Sequence, residues 1–319
     1  MALTARPRLV VLRALGLGDL CTALPALRGL ARAFPSHRRL LLCPVPLAPL
    51  ALATGAVDDV AGFDAKGGLE AGAGLPAAAR EADVAVNLHG AGPGSSLLLE
   101  RSRPRRLLAF RHPAVAATAG GPDWDDDEHD VARWCRLLAA CGVPAEPGDL
   151  AIEADASRAP PAAGGATLVH PGAASPARRW PAARYSAVAA AERAAGRPVV
   201  VTAGPGEHAL ASAVAAGAGL RAGAVVAPRG VMELAAVVAA AGRVVCGDTG
   251  VAHLATAVGI PSVVLFGPVP PSRWGPPADR PRHRALWAGG TGDPHAPRPD
   301  PGLLRITVED VVAALSQTS

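Results

Sequence analysis

The residues best suited to chemistry sit in one turn, Gly247-Asp248-Thr249-Gly250, with His253 three positions on. Before the turn runs a short apolar stretch, residues 243–247. After it comes an Ala-rich stretch, residues 251–258, which Gly259 and Pro261 stop. Residues 260–266 are apolar except for Ser262 and read as a buried strand. The spacing predicts strand, turn, helix, strand. Such a turn lies where the carboxyl end of a strand meets the amino end of a helix, the place where open α/β sheets bind ligands. The first N–H groups of a helix have no intrahelical partner and favour a negative charge. Thr249 adds a hydroxyl donor, and Gly250 lets a bulky anion approach the backbone. The chemistry that fits is phosphate binding. Taken alone, the four residues also fit a plain turn capped by Asp248 or Thr249.

Three further stretches place reactive groups beside strand ends. Residues 8–13 form an apolar run, residues 14–18 a turn, and residues 20–34 a helix for which Asp19 is a suitable N-cap. Gly16-x-Gly18 is not a dinucleotide fingerprint, because Cys21 stands where the third glycine belongs, and no Gly-Lys-Ser/Thr follows to make a P-loop. Taken alone, Asp19 reads as a helix cap. Residues 82–87 read as a strand ending at Asn87 and a glycine-rich loop with His89, residues that could contact a sugar in the cleft that Asp19 faces. A lone loop histidine is more commonly solvated. Residues 167–170 form another strand, followed by a small-residue loop to Arg178, Arg179, Trp180 and Pro181, where a helix begins. Residues 231–241 are apolar on nearly every side apart from Glu233 and read as a buried helix. The acidic run at residues 123–130 reads as a solvated loop leading into a helix at 131–141, since no strand flanks it as a metal site would need.

The string GDTGVAHLATAVGIPSVVLFGP, Gly247 to Pro268, closely resembles the C-terminal signature of glycosyltransferase family 9, the heptosyltransferases of bacterial cell-surface saccharide assembly. Pro171-Gly172 with Arg178-x-Trp180-Pro181 resembles the family's second signature, and Gly18-Asp19 with Pro25 its opening motif. The resemblance covers most of the chain. It implies an α/β fold of GT-B architecture, two Rossmann-like domains whose parallel sheets face a central cleft. It implies inverting, metal-independent transfer of a sugar, a heptose from ADP-heptose, to a hydroxyl of a glycan or lipid-linked acceptor, with no cofactor. It puts Asp19 in the role of catalytic base, Thr249 and Gly250 at the diphosphate, Asp248 and His253 close to the sugar, and Glu233 near the ribose. Arg178 occupies a place where the family usually has a phosphate-binding lysine; a guanidinium also binds phosphate but with different reach and geometry. The family's frequent cysteines in residues 268–302 are missing here. Two other readings are a sugar-nucleotide enzyme of the same architecture, such as an epimerase, and a non-catalytic sugar-nucleotide-binding protein.

The elements that must hold these groups need room for about two domains, which 319 residues provide. The stretch 155–166, with Pro160-Pro161 and Gly164-Gly165, is the clearest break. It predicts an acceptor domain over 1–157, a linker over 158–166 and a nucleotide-sugar domain over 167–319, whose last helix, 307–315, returns to the first domain. Half of the residues are hydrophobic but only 3% aromatic, so Ala and Val must build much of the core. One lysine, Lys66, stands among 31 basic residues, a bias that reads as base composition of the genome. The net charge of +4, without interleaved aromatics, is poor evidence for nucleic acid, which is not expected as a partner, and suits an anionic substrate or peripheral contact with the inner face of a membrane. Five scattered cysteines without a CxxC pair fit a reducing cytoplasm. Arg13 interrupts the first apolar run, which argues against a signal peptide, and no stretch is long and apolar enough for a membrane span.

Overall fold

The computed structural model describes residues 6–65, 69 and 74–318; Lys66 lies outside them. The chain forms two compact units that divide between Leu150 and Ala151. In both, short apolar runs become parallel strands buried on both faces, and the intervening segments become helices.

The first unit contains, in order, β1 (Arg8–Leu12), α1 (Leu17–Ala33), β2 (Arg38–Cys43), α2 (Ala48–Ala53), β3 (Asp59–Gly62), β4 (Val84–Asn87), α3 (Pro93–Glu100), β5 (Arg106–Leu108) and α4 (Asp130–Ala140). The sheet order is β3-β2-β1-β4-β5, parallel throughout, with Val11 opposite both Leu41 and Val86. Leu9, Val10, Val11 and Leu12 are all buried, so β1 is the centre of this core. The order turns back beside β1: β2 and β3 lie on one side, β4 and β5 on the other. The loops after β1 and β4 therefore flank a topological switch point.

Two expectations for this unit need correction. Gly16, not Asp19, is the N-cap of α1. The helix starts at Leu17, three residues before the expected residue 20, and the Asp19 carboxylate reaches back to accept from the Gly16 N–H at 3.0 Å. The acidic run is also not solvated throughout. Asp123 and Asp125–Asp127 are exposed, but Asp130 opens α4 with 2% exposure, because it finds cationic partners inside.

The second unit contains β6 (Thr167–His170), α5 (Ala182–Ala194), β7 (Val199–Thr202), α6 (His208–Gly217), β8 (Val225–Val226), α7 (Val231–Ala240), β9 (Arg243–Gly247), α8 (Gly250–Val258), β10 (Ser262–Phe266), α9 (Pro271–Trp274), β11 (His283–Trp287), α10 (Pro301–Arg305) and α11 (Val308–Ser316). The sheet order is β11-β10-β9-β6-β7-β8, again parallel throughout, and it turns back between β6 and β9. This is the doubly wound nucleotide-binding order. Valines and alanines fill much of the core, with Trp180 and Tyr185 stacked edge-on as its aromatic centre.

The stretch expected as a linker is built into this second unit. Residues 158–166 carry short 3-10 turns, Ala163 and Ala166 are fully buried, and the Gly165 N–H bonds to the Ala240 carbonyl. Gly165 needs its lack of a side chain, at φ +67°. The terminal helix α11 likewise packs in its own unit: Val311 and Leu315 join the core of β10 and α5, and Thr307 with Asp310 caps the helix reciprocally. Among the described residues no helix is long and apolar enough to cross a membrane.

Candidate active site

At the switch point of the second sheet, β6 and β9 run side by side with His170 opposite Cys246. The loop after β6 folds over the end of β9 so closely that a Cβ on Gly247 would stand 3.0 Å from the Arg178 carbonyl. This brings Arg178 beside the turn at Asp248–Gly250. The Arg178 Nη1 lies 3.4 Å from the Asp248 carbonyl and 3.6 Å from its Oδ2, both long contacts, and its buried Nε has no partner among the described residues. Thr249 is the N-cap of α8 but its hydroxyl caps no N–H. That hydroxyl is buried, and among the described residues only the thiol of Cys246 is a neighbour to bond. Burial pushes the Cys246 thiol up to about 12, the bond from Thr249 working against it, so the thiol stays neutral. An arginine with donors to spare, a hydroxyl and an uncapped helix amino end thus meet within one turn. Each favours an anion, and together they suit a phosphate.

His253 lies one turn into α8 and packs edge-on against Trp274 of α9, ring centroids 5.8 Å apart at 71°. At the end of β6, the Nδ1 of His170 contacts the Thr202 hydroxyl at 3.1 Å; burial lowers the His170 pKa, with Glu207 opposing. Glu207, after β7, accepts from the Gly204 N–H at 3.1 Å and presses on Gly172, where a Cβ would come within 1.9 Å of its carboxylate. A side chain at position 172 would displace the Glu207 carboxylate from this place. Glu233, by contrast, is taken up at the start of α7, where its carboxylate accepts from the Arg229 N–H at 2.8 Å.

At the switch point of the first sheet the chemistry differs. Asp19 is half-buried, one carboxylate oxygen bonded to Gly16 N–H and the other 3.4 Å from Arg13 Nη2. Arg13 is buried and donates to the Asp19 carbonyl, the Leu88 carbonyl, the Thr22 hydroxyl and the Asp130 carboxylate. Asp130 also faces Arg133 at 3.4 Å. Burial pulls its carboxyl upward, but Arg13, Thr22 and Arg133 outweigh that and hold it below the usual range. His89, from the loop after β4, is held neutral: burial, and then Arg13, lower its pKa to about 4, with Asp19 opposing. Its buried Nδ1 has no hydrogen-bond partner among the described residues. The Asn87 side chain is committed to the loop, donating to Gly90, Ser95 and Ser96 and accepting from the His89 N–H.

The family model described as glycosyltransferase family 9 (heptosyltransferase) matches residues 121–291, more than half of the chain. The chain belongs to glycosyltransferase family 9. No curated protein matches the sequence. Among solved structures, a family 9 glycosyl transferase from Veillonella parvula superposes with a TM-score of 0.78 at 22% identity, covering 100% of this chain and 98% of that one. The E. coli ADP-heptose lps heptosyltransferase II gives 0.76 at 19%, covering 97% of each chain. The E. coli heptosyltransferase WaaC with ADP-2-deoxy-2-fluoro heptose gives 0.71 at 18%, covering 98% and 100%. The likeness runs the full length of the chain, and the two Rossmann-like parallel sheets are those of the GT-B architecture.

In this family 9 glycosyltransferase, Arg178, Asp248, Thr249 and Gly250 share one switch point, with His253 on the helix that follows. Asp19 and His89 share the other. Four residues come from the structure alone: Arg13, Asp130, Trp274 and Glu207. A signal for the first existed, since an arginine closing a fully apolar strand must find buried acceptors. Among the described residues no group of three or more His, Cys, Asp or Glu is placed to hold a metal ion.

Proposed function

We propose that this glycosyltransferase moves a heptose from ADP-heptose to a hydroxyl of a cell-surface saccharide, with inversion and without a metal ion. The observation that carries this is the group at the second switch point: Arg178 with unused donors, the Thr249 hydroxyl and the uncapped amino end of α8. Departure of ADP leaves negative charge on the diphosphate, and preorganised donors that meet that charge lower the barrier. The WaaC structure named above, with its ADP-2-deoxy-2-fluoro heptose, supports the choice of donor.

In this reading Asp19 takes the proton from the acceptor hydroxyl as its oxygen attacks the anomeric carbon, and the bond from that carbon to the diphosphate breaks. Arg178, Thr249 and the Gly250 N–H receive the leaving diphosphate. Asp248 and His253 orient the sugar, with Trp274 fixing the His253 ring. His89, neutral and with a free buried nitrogen, meets the acceptor; Asn87 acts one step back, by ordering the loop that carries it. Glu207, which closes on Gly172 and Gly204 beside the same switch point, competes with Glu233 for the ribose. We place the reaction in the cytoplasm, a reading supported by five free cysteines, with an acceptor at the inner membrane face reached by peripheral contact.

The test is to incubate the protein with ADP-heptose and lipopolysaccharide core oligosaccharide. Mass spectrometry should show the acceptor gaining one heptose, and NMR of the product should show the anomeric configuration inverted. A new sugar-nucleotide isomer formed without acceptor would instead identify an epimerase. Tight ADP-heptose binding without turnover on any acceptor would identify a binding protein.

A further inference from the structure

The buried pair Arg13–Asp130 has no part in the reaction as proposed above. Arg13 follows β1 and Asp130 opens α4; each is 2% exposed, and Nη2 to Oδ2 is 2.7 Å. Stability does not account for such a pair, because well-packed apolar side chains often do as well or better. What sets it apart is the rest of the guanidinium. Nε donates to the Asp19 carbonyl at 3.0 Å and Nη1 to the Leu88 carbonyl at 2.6 Å, one residue before His89. Nη2 stands 3.4 Å from the Asp19 carboxylate, beyond good hydrogen-bond distance. The Trp134 ring lies 4.7 Å from Cζ, and Thr22 accepts from Arg13 while donating to Asp130 at 2.7 Å. One planar group, anchored from α4, therefore fixes the main chain at both loops of the first switch point. It approaches the Asp19 carboxylate without closing on it.

We propose that Arg13 and Asp130 are positioning residues for Asp19: Asp130 takes the strongest bond of the guanidinium, and Arg13, so held, sets the place of Asp19 while leaving its carboxylate able to accept a proton. This rests on Asp19 being the general base. Asp130→Asn keeps the shape but removes the charge. The guanidinium then has a single carboxylate in reach, Asp19, and closes on it.

The test uses the full chain with ADP-heptose and lipopolysaccharide core oligosaccharide, measuring kcat, KM and ADP binding. Arg13→Lys keeps a cation beside Asp130, so the fold is held, but it lacks the fork that reaches Asp19 and Leu88. A displacement of the base by about 1 Å costs on the order of 10²-fold in rate. Both Arg13→Lys and Asp130→Asn should therefore lose kcat on that scale, with KM and ADP affinity nearly unchanged. In an Asp19→Asn background, adding Asp130→Asn should cost nothing more, since no base remains to be positioned. Losses that multiply in the double variant, or a folded Arg13→Lys with wild-type kcat, would overturn the proposal. If Asp130→Asn does not fold, the kcat of Arg13→Lys decides. An Asp19→Asn variant at wild-type turnover sinks the base assignment and this proposal with it. A slow Asp19→Asn beside a wild-type Arg13→Lys sinks the positioning role alone.

Discussion

Replacing Arg178 by alanine should weaken ADP binding by a factor that the structure brackets. With no diphosphate bound, the guanidinium makes only long contacts to Asp248, at 3.4 and 3.6 Å, and its Nε is unpartnered. Binding a diphosphate would therefore break little and make charge-assisted bonds, each contributing about 1.5–3 kcal/mol. One such bond alone corresponds to about 10- to 150-fold in Kd. Loss of Arg178 has a second cost. Asp248 is 7% exposed, and without the guanidinium its carboxylate lies buried beside an anionic ligand with no countercharge. The upper part of the range, a loss on the order of 10²-fold, is therefore expected. Arg178→Lys should recover much of it, since an ammonium supplies the charge but not the fork. Asp248→Asn should leave ADP affinity equal or higher, because it removes both the competitor for Arg178 and the repulsion. Calorimetric titration with ADP at fixed ionic strength reads all three. If Arg178→Ala binds ADP as tightly as the wild type, the phosphate site is not at this switch point.

Three further outcomes are expected. Asp19→Asn keeps an oxygen to accept from the Gly16 N–H, so it should fold and bind ADP normally while losing on the order of 10²–10⁴-fold in turnover; steady-state assay with thermal melting checks both. Turnover should survive EDTA, because Arg178 and the α8 amino end are assigned the leaving charge; loss on chelation with recovery by a divalent ion would reopen Asp125–Asp127 as a metal site. The third outcome concerns acid stability. Burial, and then Arg280 and Arg282, hold the His283 pKa at about 4, below the usual 6.5, so the unfolded chain takes up a proton that the folded chain refuses. Stability from this group is complete above about pH 6.5 and declines as the pH falls toward 4. His283→Asn should reduce the slope of that part of a melting-temperature curve, leaving the share that His89 and His170 contribute, and an unchanged slope would show that His283 is not among its sources.

The loops were legible because glycine, proline, aspartate and threonine punctuate apolar runs, and each run ended where a strand ends. Asp248–Gly250 directly follows such an end, whereas Asp19 lies in the first turn of α1 and Arg178 in a 3-10 turn of the loop after β6. Elements without that contrast were not legible. β8 is two residues long, and β11, which opens with His283 and Arg284, lies inside a Pro- and Arg-rich stretch that reads as loop. The Pro-Pro and Gly-Gly steps at 160–165 look like a linker because composition reports backbone preference but not what the alanines between them touch. The position of Asp19 at N3 was hidden because Gly16 has no side chain with which to announce itself as a cap. The Arg13–Asp130 contact spans 117 residues of sequence, and no local period records it.

Residue type alone does not say which switch point takes the anion, since each carries an arginine and an aspartate. The distinction lies in how far each guanidinium is already satisfied. Arg13 is 2% exposed and donates to two carbonyls, a hydroxyl and a carboxylate. An incoming phosphate would have to displace bonds made in a buried site, where each broken partner is left unsatisfied at a cost of about 1–3 kcal/mol. Arg178 is partly open, holds Asp248 only loosely, and keeps a buried nitrogen without a partner. It gains bonds by meeting a phosphate and gives up little. Thr249 and the start of α8 are in a similar condition: among the described residues the hydroxyl meets only the Cys246 thiol, and no side chain caps the helix. The first switch point is thus a closed network with one carboxylate left approachable, the form suited to a base, and the second is an open set of donors, the form suited to a leaving diphosphate.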